Sequence, residues 1–287
     1  MNVILYNDIN KFKEEVLPLL YKEEELNQIF IQSIKEQQDS VERDNIIGTV
    51  VDKNEIRVIF LNEYPYSFQL YGVDINKEAS DYLCQYIKKE KIKIASITGS
   101  KRDTEIFISS YSEVFKMKQH AFVLISEMDV MKVSSLQEHV IDSTKLILKE
   151  AEETDLEQIG ELYKLFEKEV CGGEISLEDA IQKMKIKVQN KDCFILLNHE
   201  GNIVSTSHVD TTLKNGVSIS GVYTSLENRN KGYATILMYL TSKLLLNRGY
   251  ASCALCADRT KPELYLIYSK VGYKVVGISC CYKLDKK

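Results

Sequence analysis

Long apolar runs, an excess of basic charge and a repeated cysteine pair are all missing from this chain, and each absence removes a class of function. No stretch of its 287 residues approaches the ~18 consecutive apolar residues that span a bilayer. The opening segment MNVILYNDINKFKEE carries a charge by position 8 and has no apolar signal core. No membrane partner and a cytoplasmic location are therefore expected. The formal net charge of −5 and pI near 5.6 are the opposite of the basic face that nucleic-acid binders carry, so no nucleic-acid partner is expected. Among seven cysteines, Cys253 and Cys256 form a C-x-x-C, but they lie in SCALCA, which reads as a strand. A strand sends positions i and i+3 to opposite faces, so these thiols do not converge. With no second C-x-x-C, and with His120, His139, His199 and His208 scattered, the expectation is no metal and reduced, mostly buried thiols.

What is present points to a folded α/β protein with more than one domain. The hydrophobic fraction of 44% suffices for cores, and 287 residues exceed one typical domain. The most informative stretch is Arg229-Asn230-Lys231-Gly232-Tyr233-Ala234. Upstream, Val217 to Thr224 (VSISGVYT) is β-branched and reads as a strand. Downstream, Leu237, Leu240 and Leu244 repeat at helical spacing. The stretch thus joins a strand to a helix N-terminus, where unpaired N–H groups and the helix dipole attract an anion. Gly232 lets the backbone approach a phosphate, Ala234 keeps the first turn open, and Arg229 and Lys231 add positive charge. An ordinary strand-to-helix turn with a solvated basic pair remains the plain alternative for these six residues alone.

A second element follows, Tyr265 to Lys274 (YLIYSKVGYK), read as a helix stopping at Gly272 and a strand from Tyr273 to Ile278. Together the two elements resemble the GNAT N-acetyltransferases. The family's motif A, [Q/R]-x-x-G-x-[G/A], is met by Arg229, Gly232 and Ala234. A frequent ending of motif B, Y-x-x-x-G-[F/Y], is met by Tyr268, Gly272 and Tyr273. The resemblance covers Leu146 to Leu284. It implies a transferase moving an acetyl group from acetyl-CoA directly to a primary amine, on a small molecule or peptide, without a metal. It also implies that the backbone at Val222, Tyr223 and Thr224 pairs with the pantetheine arm, and that Arg229, Asn230, Lys231, Gly232, Tyr233, Ala234 and Thr235 hold the pyrophosphate. A backbone N–H near Val222 then polarises the thioester carbonyl. Tyr268 takes the place of the family tyrosine that protonates the departing thiolate. Many members have a glutamate on the strand that is here Val217–Thr224; this chain has none, and His208 on the preceding strand is the candidate base. Lys261 stands where many relatives have Asn. The missing acid keeps a second reading open, a non-catalytic acyl-CoA sensor.

The chain reads as two related halves. In the second, Thr154 with Glu157 is expected to cap a helix carrying Leu156, Ile159, Leu162, Leu165 and Phe166, and Ser176 to open a helix through about Val188. Strands follow at Cys193–Leu197 and Ile203–Thr212, joined by the His199–Asn202 turn, and at Ala251–Ala257 after the cradle helix. In the first half, Ile46–Val51, Ile56–Leu61, Ser67–Asp74, Ile92–Thr98 and His120–Ser126 read as strands. Asn76–Lys89 and Glu105–Phe115 read as helices. That succession repeats part of the second half's order. Between its third strand and its helix the first half has Asn76-Lys77-Glu78, with no glycine and an added acid. The expectation is therefore a degenerate GNAT-like domain over 1–135, a GNAT domain with the acetyl-CoA site over 146–287, and in each a mostly antiparallel mixed sheet flanked by helices. An unrelated α/β domain in the first half is the alternative.

Overall fold

A computed structural model describes residues 1–37, 45–117, 121–137 and 146–285. Of the expected features, His120 and His139 lie outside these residues. The chain divides into two compact units. The first comprises Met1–Val130, Asp258–Thr260 and Val276–Lys287, and the second Met131–Ala257 and Lys261–Val275.

The first unit runs β1 (Asn2–Leu5), α1 (Ile9–Leu20), α2 (Gln28–Glu36), β2 (Asn45–Asp52), β3 (Glu55–Glu63), β4 (Ser67–Gly72), α3 (Lys77–Lys89), β5 (Ser96–Ser100), α4 (Lys101–Phe115) and into β6 (Phe122–Val133). Asp8 caps α1 by accepting from the N–H groups of Asn10 and Lys11 at 2.8 and 3.3 Å. Ile9, Phe12, Val16 and Leu20 then recur on one buried face. Phe60 and Phe68 on neighbouring strands stack with Phe107 and Tyr111 of α4, ring centroids 5.4–5.9 Å apart, forming an aromatic spine through the core.

The second unit runs β7 (Ile147–Glu150), α5 (Leu156–Phe166), α6 (Leu177–Gln189), β8 (Cys193–Leu197), β9 (Ile203–Thr212), β10 (Gly216–Thr224), α7 (Tyr233–Asn247), β11 (Ser252–Asp258) and α8 (Pro262–Val271), then β12 (Lys274–Leu284). The element order of the first unit is therefore the same as that of the second, including β1, α1 and α2. Those three precede the region in which the sequence showed a repeat.

Strand pairing is mixed in each unit. In the first, β1, β2, β3 and β4 pair antiparallel in succession, and β4 runs parallel to β5. In the second, β7, β8, β9 and β10 pair antiparallel, and β10 runs parallel to β11. Compactness assigns the C-terminal strand differently from the expected 146–287 span. Val276–Lys287 falls in the first unit, where Ser279–Lys283 of β12 pair antiparallel with Ser96–Ser100 of β5. Met131 and Val133, at the end of β6, lie in the core of the second unit with Val217, Met238 and Leu255.

One cap differs from expectation. The box at the start of the α5 segment is Glu152 with Asp155, whose carboxylate accepts from the Glu152 N–H at 2.8 Å, rather than Thr154 with Glu157. The short turn Glu153–Asp155 begins the helical path earlier than hydrophobic spacing suggests. Among the described residues, no helix is long and apolar enough to cross a membrane.

Candidate active site

In the second unit the parallel pairing of β10 and β11 is confined to Gly216–Ser218 against Ser252–Ala254. Both strands run on, to Thr224 and Asp258, without further pairing to each other among the described residues. Two parallel strands that separate in this way leave a wedge lined by backbone groups. Two bulges on β10's other side shape it. Ser218 faces Thr211 and Ile219 faces Val209, so Asp210 is an extra residue on β9. Ser220 faces His208 and Tyr223 faces Thr206, so β10 then carries an extra residue at Gly221–Val222. Gly221 has φ +62°. A Cβ there would stand 2.2 Å from Cε1 and Nδ1 of His208, so both conformation and space require glycine.

Beyond β10 the chain makes a turn at Leu226–Asn228 and reaches α7 through Asn230 (φ +61°) and Gly232 (φ +81°). Gly232 is the N-cap. Its carbonyl accepts from Ile236 N at 3.1 Å, and no side chain caps the helix. The N–H groups of Tyr233, Ala234 and Thr235 thus have no intrahelical acceptor. A Cβ at Gly232 would meet nothing within 4 Å, so the loop stands open in front of the helix end. Lys231 Nζ donates to Asn228 Oδ1 at 3.0 Å. Lys231, Asn228 and Tyr233 line a cleft of about 510 Å³ together with His199 and Glu200.

Arg229 is not a mobile charge in this arrangement. Its guanidinium pairs with Glu169 at 2.6 Å, donates from Nε to the Thr224 carbonyl at 3.1 Å, and lies 5.2 Å from the Tyr223 ring centre. Arg229 holds the Glu169 carboxyl below the usual range. Tyr223 O–H also donates to Glu169, at 2.9 Å, and burial followed by that contact pushes the phenol up to about 12. Ser205 Oγ reaches the Tyr223 carbonyl and the Thr224 hydroxyl, both at 2.9 Å. Val222 remains half-buried at the bulge.

Tyr268 is buried in α8, its ring edge-on to Tyr273 at 6.0 Å. Burial, and secondarily Cys256, keep its phenol protonated far above the ordinary range. Tyr273 exchanges a hydrogen bond with Ser242 at 2.8 Å. Gly272 ends α8 at φ +115°, and the Tyr273 N–H returns to the Tyr268 carbonyl at 3.1 Å. The two cysteines of the C-x-x-C do face apart. Cys253 Sγ lies 4.0 Å from the Ser242 carbonyl of α7, whereas Cys256 senses Asp210 of β9.

His208 sits on the opposite face of the sheet, edge-on to Tyr163 of α5 at 5.8 Å and only 5% exposed. Burial, with Lys187 adding a smaller effect, lowers its pKa to about 3. An imidazole that remains neutral across the working pH range binds a proton too weakly to be an efficient general base. The role expected of His208 as base is therefore poorly matched to its surroundings. Sequence reasoning passed over Asp210, Lys187 and Glu169. Asp210 is two positions from His208 and the only acid in Ile203–Thr212, which was the available signal. Glu169 gave none, being distant in sequence from the loop it meets.

The matching backbone groups of the first unit are already paired, although Gly72 and Asp103 line a cleft of about 480 Å³ there together with Lys101 and Arg102. Register aligns Ser67–Gln69 of β4 on Ser96–Thr98 of β5 as Gly216–Ser218 align on β11, which puts Gly72 at the place of Gly221. The Gly72 N–H donates to the buried carboxylate of Asp103 at 3.0 Å. Asn76 caps α3, accepting from the Ala79 N–H at 2.9 Å, and Glu78 places a negative charge in the first turn.

No protein-family model matches the sequence, and no curated protein matches it. Solved structures do match its fold. A GCN5-related N-acetyltransferase from Sphaerobacter thermophilus superposes with a TM-score of 0.64 at 14% identity, over 98% of this chain and 94% of that one. A GNAT-family acetyltransferase from Colwellia psychrerythraea gives 0.61 at 8% identity over 99% and 100%. A tandem GNAT protein from the clavulanic acid biosynthesis pathway gives 0.58 at 6% identity over 100% and 99%. The chain has the GNAT fold, in tandem, over its full length.

Proposed function

We propose that the second unit is an acetyl-CoA-dependent N-acetyltransferase acting on a primary amine of a small molecule or peptide, and that the first unit is non-catalytic. One observation carries this reading: β10 parts from β11 directly before a helix whose N-terminus is uncapped and fronted by Gly232 at φ +81°. The residues present fit coenzyme A. The N–H groups of Tyr233, Ala234 and Thr235 suit a pyrophosphate, and the opened edge of β10 at Val222–Thr224 suits an extended amide-bearing arm. Bound acetyl-CoA supplies the activated acetyl group. The protein supplies an N–H at the Gly221–Val222 bulge for the carbonyl oxygen and the protonated phenol of Tyr268 for the sulfur. In the first unit Asp103 takes the equivalent backbone donor and Asn76 the equivalent helix end, so the groups that would hold a thioester and a pyrophosphate are already engaged there.

The test is a thermal-shift titration with acetyl-CoA followed by a turnover screen over amines. At a hundredfold excess over Kd, binding stabilises by about 2.7 kcal/mol. Gly232→Glu is expected to remove that shift while the protein stays folded. An unchanged shift in Gly232→Glu refutes the cradle. Binding without coenzyme A release for any amine in the screen refutes the enzyme and leaves an acyl-CoA sensor.

A further inference from the structure

Asp210 is the residue that the β9 bulge adds, opposite Ser218–Ile219 of β10. Lys187 of α6 donates to the Asp210 carbonyl at 2.8 Å and stands 3.8 Å from its Oδ1. His208 Nε2, on the same strand, is 4.0 Å from Oδ1. From the other elements around it, Tyr163 of α5, Cys171 just beyond α5 and Cys256 of β11 all feel the Asp210 charge. Cys256 in turn is within electrostatic reach of Tyr268. His208 and Asp210 face α5 and α6, while Tyr268 packs with Val209, Met238 and Leu255 on the α7 side. Asp210 therefore lies on the α5–α6 face of the sheet, beside the point where β11 leaves β10. The Asp210 side chain keeps about a quarter of its surface open to solvent, unlike the enclosed imidazole beside it.

We infer that Asp210 receives the acceptor's amino group from the α5–α6 side of the wedge and takes its proton during transfer. The inference rests on the proposed acetyltransferase reading. The ammonium pairs with the Asp210 carboxylate on entering, and Asp210 relays its first proton to solvent. As the amine nitrogen bonds to the acetyl carbon and the C–S bond breaks, the electron pair of that bond goes to sulfur. Tyr268 gives sulfur its proton, and Asp210 accepts the second proton of the nitrogen. Solvent then removes the proton from Asp210 and returns one to Tyr268, so the products are an amide and free coenzyme A thiol. Lys187 holds the carboxylate in place, and neutral His208 packs against Gly221 to keep the bulge in register.

The experiment compares wild type, Asp210→Asn and Asp210→Glu with spermidine, benzylamine and lysine methyl ester, from pH 6 to 10. Asp210→Asn is expected to lower kcat/KM for the amine ~10²-fold. Its rate should climb with pH as free amine accumulates, where the wild type levels off, and Asp210→Glu should recover most of the loss. Without turnover, the CoA complex of wild type should show a further thermal shift with spermidine that Asp210→Asn lacks. The acetyl-CoA shift itself should be equal in all three proteins. A wild-type pH profile in Asp210→Asn, or a spermidine shift retained by it, overturns the inference. A wild type that binds acetyl-CoA but acetylates none of the three amines overturns it as well. Absence of any acetyl-CoA shift in wild type overturns the underlying reading instead.

Discussion

Replacing Gly221 with alanine tests the geometry on which the whole site depends. Gly221 sits at φ +62°, and its Cβ would stand 2.2 Å from two atoms of the His208 ring. The left-handed conformation costs a residue with a side chain about 1–2 kcal/mol. Forcing a methyl group against a buried ring adds about 1–3 kcal/mol, because His208 is enclosed by Tyr163 and the sheet and has nowhere to retreat. Together these give a loss of roughly 2–5 kcal/mol, which for a chain of this size lowers Tm by roughly 5–15 °C. The two terms separate in a double-mutant cycle. His208→Ala removes the ring but not the backbone requirement, so in that background Gly221→Ala should cost only the first term. The coupling is therefore expected at about 1–3 kcal/mol, read by urea unfolding of wild type, both single variants and the double variant. Acetyl-CoA titrations on the same proteins should show affinity falling with Gly221→Ala, since the bulge that presents Val222 is distorted. Equal cost of Gly221→Ala with and without the imidazole would refute the contact and with it the bulge geometry.

Three further outcomes are expected. His208 has its pKa lowered from 6.5 to about 3, so the unfolded chain binds more protons than the folded one between those values. Its contribution is complete above pH 6.5 and is lost as pH falls toward 3, with a slope up to about 1.4 kcal/mol per pH unit. Urea midpoints from pH 7.5 to 4.5 should fall more steeply for wild type than for His208→Gln, and parallel lines would dismiss the effect. Tyr268→Phe should lower kcat about 10²-fold while the acetyl-CoA shift persists, whereas Tyr265→Phe, at a half-exposed position, should change neither; full turnover by Tyr268→Phe would make that tyrosine packing alone. Ending the chain at Val275 should bare the β5 edge that β12 covers through Ser279–Lys283, giving self-association or an early unfolding transition. Gel filtration and calorimetry check this, and a monomeric 1–275 chain with unchanged unfolding would contradict it.

Local chemistry in the sequence was enough to place the strand–loop–helix passage from β10 to α7 and the helix stop at Gly272. Positive φ at Gly232, Gly272 and the Gly201 turn is a property that glycine announces by itself. The β-branched runs and the leucine spacing of α7 report periodicities that no distant contact needs to supply. The same local rules failed where the deciding partner is far away in sequence. Arg229 reads as a free cation beside Lys231, yet Glu169 from beyond α5 binds it at 2.6 Å. His208 has the intrinsic pKa of a base, yet Tyr163, Gly221 and the surrounding sheet remove its water and with it its basicity. Asp210 reads as an ordinary strand residue until the register of β9 against β10 turns it into a bulge. Glycines, periodicity and turn residues are set by each residue's own backbone and neighbours, so sequence alone determined them. Desolvation, ion pairing and strand register depend on which distant segments meet, so only the tertiary structure decided the chemistry of the wedge and the assignment of β12 to the first unit.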